Sequence, residues 1–229
     1  MRLSRRSVLA AALALLPAGA RAQSEGQWHP LTGDDGRPVP NTRLPGELAS
    51  EIGGLRGVTW IGSRDAAVTL YEFFDYNCPW CRAAARDLAA LTRAAPDLRV
   101  GLVNNPILSP ASAQAAKVAL AVQRGGGSGA AHALYAALLG GATSRIDGAR
   151  ALDAARALGH DRAALAQAAE SDEVREALQA QMRLAADLGL AATPSYVVGT
   201  AALLGYPGPR SLARVLESVA ACDAIACQG

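Results

Sequence analysis

Three observations predict an α/β fold in which a block of helices interrupts a sheet. Of the 229 residues, 51% are hydrophobic but only 4% aromatic, so alanine, leucine and valine must build the core. Alanine in such numbers favours helix, because it loses no side-chain entropy on folding. Val68 to Tyr76 (Val-Thr-Leu-Tyr-Glu-Phe-Phe-Asp-Tyr) is a β-branched and aromatic run of strand length, and a helical pattern follows it directly. From Ser109 to about Leu188 the composition is helical throughout, and short strand-like runs resume only after that stretch.

Residues 1–22 read as an export signal rather than as part of the fold. Arg2, Arg5 and Arg6 form a basic start, Val8 to Leu16 is apolar, and Pro17 breaks the run. Ala20-Arg21-Ala22 then offers a small–x–small cleavage site, which places the mature start near Ala22 and the protein in the periplasm. The apolar run is too short to span a bilayer core of roughly 30 Å, which needs about 20 apolar residues. The competing reading is a buried N-terminal helix. Ser4 to Leu9 also resembles a twin-arginine signal, so the sequence leaves the export route open between Sec and Tat. No cysteine lies near the cleavage site, which excludes a lipoprotein anchor. Removing the four signal arginines leaves 18 basic against 20 acidic residues, a net charge of −2. Such a surface gives no electrostatic reason to bind nucleic acid, and no nucleic-acid partner is expected.

Residues 23–57 form a lead-in arm, partly ordered, with Gly and Pro punctuation and at most a helical turn or two at Glu47 to Ile52. The first part of the main domain covers 58–108. Its strand at Val68 to Tyr76 turns at Asn77-Cys78-Pro79 into a helix that runs to about Ala94 and stops at Pro96. Pro79 suits the first helical turn, where its missing N–H costs nothing. Leu98 to Val103 is a second strand. A helical insertion spans 109–189, capped by Ser109-Pro110. Breaks at Gly125 to Gly129, Gly140-Gly141 and Gly159 divide it into four or five short helices in a hairpin-like array. The second part of the domain, 190–221, holds strands at Tyr196 to Val198 and Ala201 to Tyr206, and a helix from Pro209 to about Ala221. Residues 222–229 are a tail. Strand, helix, strand, helical block, strand, strand, helix is the order of a thioredoxin-like fold with a helical insertion domain.

Chemistry concentrates in Cys78-Pro79-Trp80-Cys81. Two residues between cysteines, across a strand end and a first helical turn, permit a disulfide within one turn. Unpaired backbone N–H groups and the helix dipole stabilise a thiolate on Cys78. Cys78 is then the nucleophile and Cys81 the more buried resolving thiol of an exchange reaction. Two other readings stay open. A purely structural bridge gains little chain entropy from so small a loop. Half a zinc site would need Cys222 and Cys227 to meet the first pair, and their spacing of four intervening residues does not suit a zinc ribbon.

Tyr71 to Cys81 (Tyr-Glu-Phe-Phe-Asp-Tyr-Asn-Cys-Pro-Trp-Cys) resembles the active-site strand and turn of the DsbA-type periplasmic thiol–disulfide oxidoreductases, including their Com1 and ScsC-like branches. Thr193-Pro194 is similar to that family's cis-proline loop, and Asn105 to Pro110 to the segment entering the helical insert. The resemblance covers roughly 60–220. It implies a cis Pro194 beside the redox pair, whose ring packs on the sulfurs and keeps a metal from settling there. It implies that the Thr193 backbone pairs with an extended substrate by strand addition. Pro79 and Trp80, at the mouth of the motif, are expected to touch the substrate. The cofactor is none beyond the Cys78–Cys81 disulfide, and no metal is expected. The partners are exported protein substrates with thiols or disulfides and a membrane redox protein, DsbB-like or DsbD-like.

Strand alternation puts Glu72 on one face with Phe74 and Tyr76, partly buried beneath the site, where a carboxyl is able to relay the Cys81 proton. A solvent-facing Glu72 is the competing reading. Asp75 falls on the opposite face and receives no role. Trp80 brings no positive charge to the motif, so the Cys78 thiolate is less stabilised than in relatives with histidine there, and the potential is expected to be lower. Trp80→His should therefore raise the reduction potential against glutathione; an unchanged or lower value would remove the idea.

Cys222 and Cys227 read as a structural disulfide stapling the tail, with a second redox pair as the alternative. His29, His132 and His160 are widely separated and suit packing or capping rather than ligation. An oxidase that donates its disulfide is preferred to an isomerase or reductase kept reduced by a membrane partner. The arm is too short and Gly/Pro-rich for a dimerisation stalk, which favours a monomer. A thiol-based metal-binding or chaperone-like protein is the alternative from a different class.

Overall fold

The computed structural model describes residues 28–141 and 144–227. The export signal lies outside the described residues. The elements run β1 (Asn41–Arg43), α1 (Gly46–Glu51), a 3-10 turn (Ile52–Gly54), β2 (Thr59–Ile61), β3 (Val68–Phe74), α2 (Pro79–Ala94) and β4 (Leu98–Asn104). The insertion follows as α3 (Pro110–Gly140), α4 (Gly148–Ala157), α5 (Arg162–Ala169) and α6 (Asp172–Asp187). Then come β5 (Ser195–Val198), β6 (Ala201–Leu204) and α7 (Pro209–Cys222).

Among the described residues, six strands form one mixed sheet in the order β1-β6-β5-β3-β4-β2. Only β3 and β4 are parallel, as a strand–helix–strand unit demands; the other neighbours are antiparallel. The central strand β3 is apolar on both faces because both are covered. Leu70 and Phe74 share one apolar cluster with Cys81, Leu88 of α2, Leu134 and Tyr135 of α3, and Leu212 of α7. Phe73 on the opposite face packs with Val103, Val197, Leu184 of α6 and Leu188 just after that helix. Burying such side chains stabilises by about 1.5–3 kcal/mol each. This two-sided packing fixes the register, since a slip of one residue would turn every side chain over.

Two sequence expectations need correction. The arm is not merely draped: Asn41 to Arg43 pair with Leu203 to Ala201 as the sheet's edge strand. Asn41 is buried and its amide donates to the carbonyls of His29 (2.8 Å) and Val39 (2.9 Å), which ties the arm back on itself. Thr59 to Ile61 form a further strand, paired with β4. The break expected at Gly125 to Gly129 is present: α3 consists of two helical segments joined at a kink, with non-helical backbone at Gly127 (φ 73°, ψ −173°). A side chain disfavours that φ, so glycine permits the kink. Beyond it, the Ser128 hydroxyl accepts the Trp60 N–H at 3.0 Å and so covers the exposed edge of β2.

Candidate active site

The redox turn is braced before it becomes reactive. β3 delivers the chain to Asp75, which is buried and accepts two backbone N–H bonds, from Asn77 (2.7 Å) and from Leu108 (2.9 Å). The Asn77 amide reaches into the insertion, donating to Ser112 Oγ (3.0 Å) and the Ile146 carbonyl (2.8 Å) and accepting the Ile146 N–H (2.8 Å). Asp75, given no role from sequence, therefore fixes the loop between β4 and α3 against the active-site turn. Cys78 is the N-cap of α2 with extended backbone (φ −79°, ψ 122°), and Pro79 opens the helix. Cys78 thus lies where the helix's free N–H groups converge.

Both thiols of the motif are free and buried, Cys81 completely and Cys78 with 4% exposed. Thr193–Pro194 is a cis peptide bond, and Pro194 is buried. In the thiol form Cys78 Sγ donates to the Thr193 carbonyl at 3.0 Å. On ionisation other donors take over. The Cys81 thiol is the strongest of them, helped by Thr193, whose buried hydroxyl is otherwise unpartnered, and by the N–H groups of Cys81 and Trp80. Against the opposing effect of burial, they pull the Cys78 pKa down to about 6. At pH 7 roughly 90% of such a group is thiolate, against about 1% at a pKa of 9. Burial drives the Cys81 pKa strongly upward, and hydrogen bonding to Cys78 adds to this. One thiol is poised to attack and the other to hold its proton.

Glu72 lies under this pair. It is completely buried, opposite Tyr196 on β5, and burial lifts its pKa to about 8. The Tyr135 hydroxyl of α3 donates to Glu72 Oε1 at 3.5 Å, while Glu72 Oε2 and the Tyr196 hydroxyl are buried without a partner among the described residues. Alternation gave Glu72 the correct face. Its burial is complete rather than partial, because α3 closes over the sheet there. Tyr135 was not anticipated: it sits in an alanine-rich helix 63 residues from Glu72, and only its aromatic character stood out. Arg82, next to Cys81, donates to the carbonyls of Leu138 (3.4 Å) and Ser144 (3.3 Å) and so ties α2 to the end of α3.

A strand, a Cys-x-x-Cys at a helix start and a facing cis-proline loop are a family's geometry, and the model of the DSBA-like thioredoxin domain matches residues 69–217. The chain belongs to that family. Among solved structures, a thioredoxin-like oxidoreductase from Silicibacter pomeroyi is 34% identical, with a TM-score of 0.63 over 69% of this chain and 88% of its own. The catalytic domain of Proteus mirabilis ScsC is 28% identical, with a TM-score of 0.68 over 76% of this chain and 97% of its own. The thiol-disulfide exchange protein alpha-DsbA2 from Wolbachia pipientis, at 22% identity, shares the fold, with a TM-score of 0.66 over 76% of this chain and 96% of its own. No curated protein matches the sequence.

Membership of the DSBA-like family makes the chain a protein thiol–disulfide oxidoreductase. Pro79 and Trp80 are both exposed beside the thiols, Trp80 at 64%. Trp80 and Thr193 share the wall of a groove of about 510 Å³. Cys222 and Cys227 are bonded to each other. Pro209, at the start of α7, lines the same groove as Trp80, but Cys222 ends that helix, and 14 residues at 1.5 Å each carry it about 20 Å away. The two cysteine pairs therefore do not meet, and among the described residues no cluster of three His, Cys, Asp or Glu is arranged to hold a metal ion.

Proposed function

We propose that this DSBA-like protein is a periplasmic oxidase that donates the Cys78–Cys81 disulfide to cysteine pairs of exported, unfolded polypeptides. The observation that carries the direction is the asymmetry of the two thiols. Stabilising the Cys78 thiolate stabilises the reduced protein, which makes its disulfide a stronger oxidant. A low-pKa sulfur is also the better leaving group.

The reaction balances on the chain's own groups. A substrate thiolate attacks Cys78 Sγ; the Cys78–Cys81 bond breaks and a bond from the substrate sulfur to Cys78 forms. Cys81 leaves with the electron pair and takes a proton, for which Glu72, neutral at pH 7, is the nearby donor. A second substrate thiolate then attacks the substrate sulfur of the mixed disulfide and expels Cys78 as a thiolate. The substrate loses two electrons and the protein gains them. A membrane partner of DsbB-like type would restore the disulfide. The Thr193 backbone would pair with the substrate beside Cys78. Cys222–Cys227 would act as a tail staple that holds the buried Ile225 against the domain. A monomeric state is supported by the arm, whose Asn41–Arg43 and Ile52 are engaged by its own sheet and core.

Mixing the oxidised protein with a reduced, unfolded polypeptide carrying two cysteines tests the proposal. Stoichiometric disulfide formation in the polypeptide within seconds is expected. Transfer no faster than by free oxidised glutathione would contradict it. Rapid reduction of a substrate disulfide by the dithiol form, without net donation, would assign the protein to isomerase or reductase chemistry instead.

A further inference from the structure

The groove beside Cys78 is completed by a part of the chain that precedes the family-matched stretch. One side is Trp80, Thr193, Tyr206 and Pro207; the other is Asp35 and Arg37 of the arm. The arm reaches this place because residues 32–38 form a tight turn. Thr32 and Pro38 pair as an isolated bridge, Gly33 N–H donates to the Arg37 carbonyl (2.8 Å) and Gly36 N–H to the Gly33 carbonyl (3.0 Å).

The turn is bolted to the start of α7. The Asp34 carboxylate accepts the N–H groups of Arg210 (3.0 Å) and Ser211 (2.9 Å), two of the donors that a helix N-terminus leaves free. The Ser211 hydroxyl lies 2.8 Å from Asp34 Oδ1 and 2.9 Å from the Thr32 carbonyl, and Asp34 N–H donates to the Pro207 carbonyl at 2.8 Å. Gly208 permits this approach: a Cβ there would sit 2.5 Å from Asp34 Cβ. With Asp34 consumed by the anchor, Asp35 and Arg37 stand at the rim with side chains 63% and 85% exposed.

We propose that the Gly33–Pro38 turn is the outer wall of the substrate groove and makes the enzyme favour polypeptides over small thiols. The occupant is the extended segment flanking the reacting cysteine of an unfolded protein. Its neighbouring apolar side chain lies on Trp80, Tyr206 and Pro207, and its backbone passes the polar rim of Asp35 and Arg37. The groove's position decides this occupant, since it opens at Thr193, whose carbonyl already meets Cys78 Sγ. The inference rests on the oxidoreductase reading.

The test uses Cys81→Ser protein with Arg37→p-benzoylphenylalanine. A 12-residue peptide carries Leu and Phe beside one cysteine, activated as a disulfide with thionitrobenzoate. The Cys78 thiolate attacks the peptide sulfur, forming the mixed disulfide and releasing thionitrobenzoate. Irradiation is expected to crosslink the held peptide. The same photoprobe at Glu217, which lies beside Val68 and Asp97 at the opposite end of β3, is expected to give no adduct. A second measurement takes the Asp35→Ala/Arg37→Ala protein with both redox cysteines intact. Reduction of its disulfide by the reduced peptide should slow at least threefold, with the rate toward 2-mercaptoethanol unchanged. Absence of a crosslink at position 37, or equal effects on both thiols, would overturn the assignment. If the unaltered protein reacted with neither thiol, the oxidoreductase reading itself would fail.

Discussion

Replacing Cys78 with serine is expected to abolish disulfide transfer, by about a thousandfold or more, while replacing Cys81 is expected to halt the reaction halfway. The difference follows from geometry. Cys78 is the N-cap of α2, with the Thr193 carbonyl at 3.0 Å and a pKa drawn down to about 6. It is the less buried of the two sulfurs, beside the exposed Trp80, and a serine hydroxyl there does not ionise near neutral pH. Cys81 is fully buried, so it meets only a mixed disulfide already formed at Cys78. Incubation of Cys81→Ser protein with a disulfide-containing peptide should therefore accumulate a covalent adduct at Cys78, seen as a mass shift that reductant reverses. Adduct formation on Cys78→Ser protein through Cys81 would reverse the assignment of the two thiols.

Glu72→Gln should alter both stability and rate. In the folded protein burial holds the carboxyl near a pKa of 8, whereas the unfolded chain ionises at about the ordinary 4.5. The folded state therefore binds the extra proton between these values, and stability falls as pH rises from about 4.5 to 8. The loss by pH 7 is on the order of 3 kcal/mol. Denaturant unfolding of the oxidised protein between pH 5 and 8 reads this effect as the difference between wild type and Glu72→Gln, because Cys78 does not titrate in the disulfide and the opposing contribution of His132, whose pKa burial lowers, is common to both. The tyrosines that interact with Glu72 are Tyr135, Tyr196 and Tyr206, all with pKa values raised by burial, so they stay neutral in this window. Glu72→Gln should remove most of the slope. It should also slow the release of Cys81 by about a hundredfold, the scale of a lost general acid. An unchanged slope would mean that the carboxyl ionises in the folded protein.

The active site was legible in the sequence where chemistry and periodicity coincide. Cys78 and Cys81 stand at a strand-to-helix junction that local pattern alone locates, and alternation along Val68–Phe74 sends Glu72 to the face where α2 and α3 lie. What escaped is what the tertiary fold brings from afar. Tyr135 reaches Glu72 from the middle of the insertion, and Asn77 is locked by Ile146, 69 residues away. Strands β1 and β2 are three residues each, too short for alternation to register, and exist only because a sheet edge is there to pair with. Gly125 to Gly129 were legible as a break because glycine weakens a helix, and α3 does kink there, at Gly127. Asp34 lies in the Gly- and Pro-punctuated arm, and its function as an anchor depends on α7, some 175 residues later.

The most direct test of the account is the reduction potential of the Cys78–Cys81 pair, equilibrated with glutathione in a Cys222→Ser/Cys227→Ser protein across pH 5 to 8. A value of about −120 to −180 mV at pH 7 is expected, with the pH slope steepening below about 6 as the Cys78 thiolate takes up its proton. A value near −270 mV or below, with no break near pH 6, would contradict both the thiolate stabilisation and the oxidase direction.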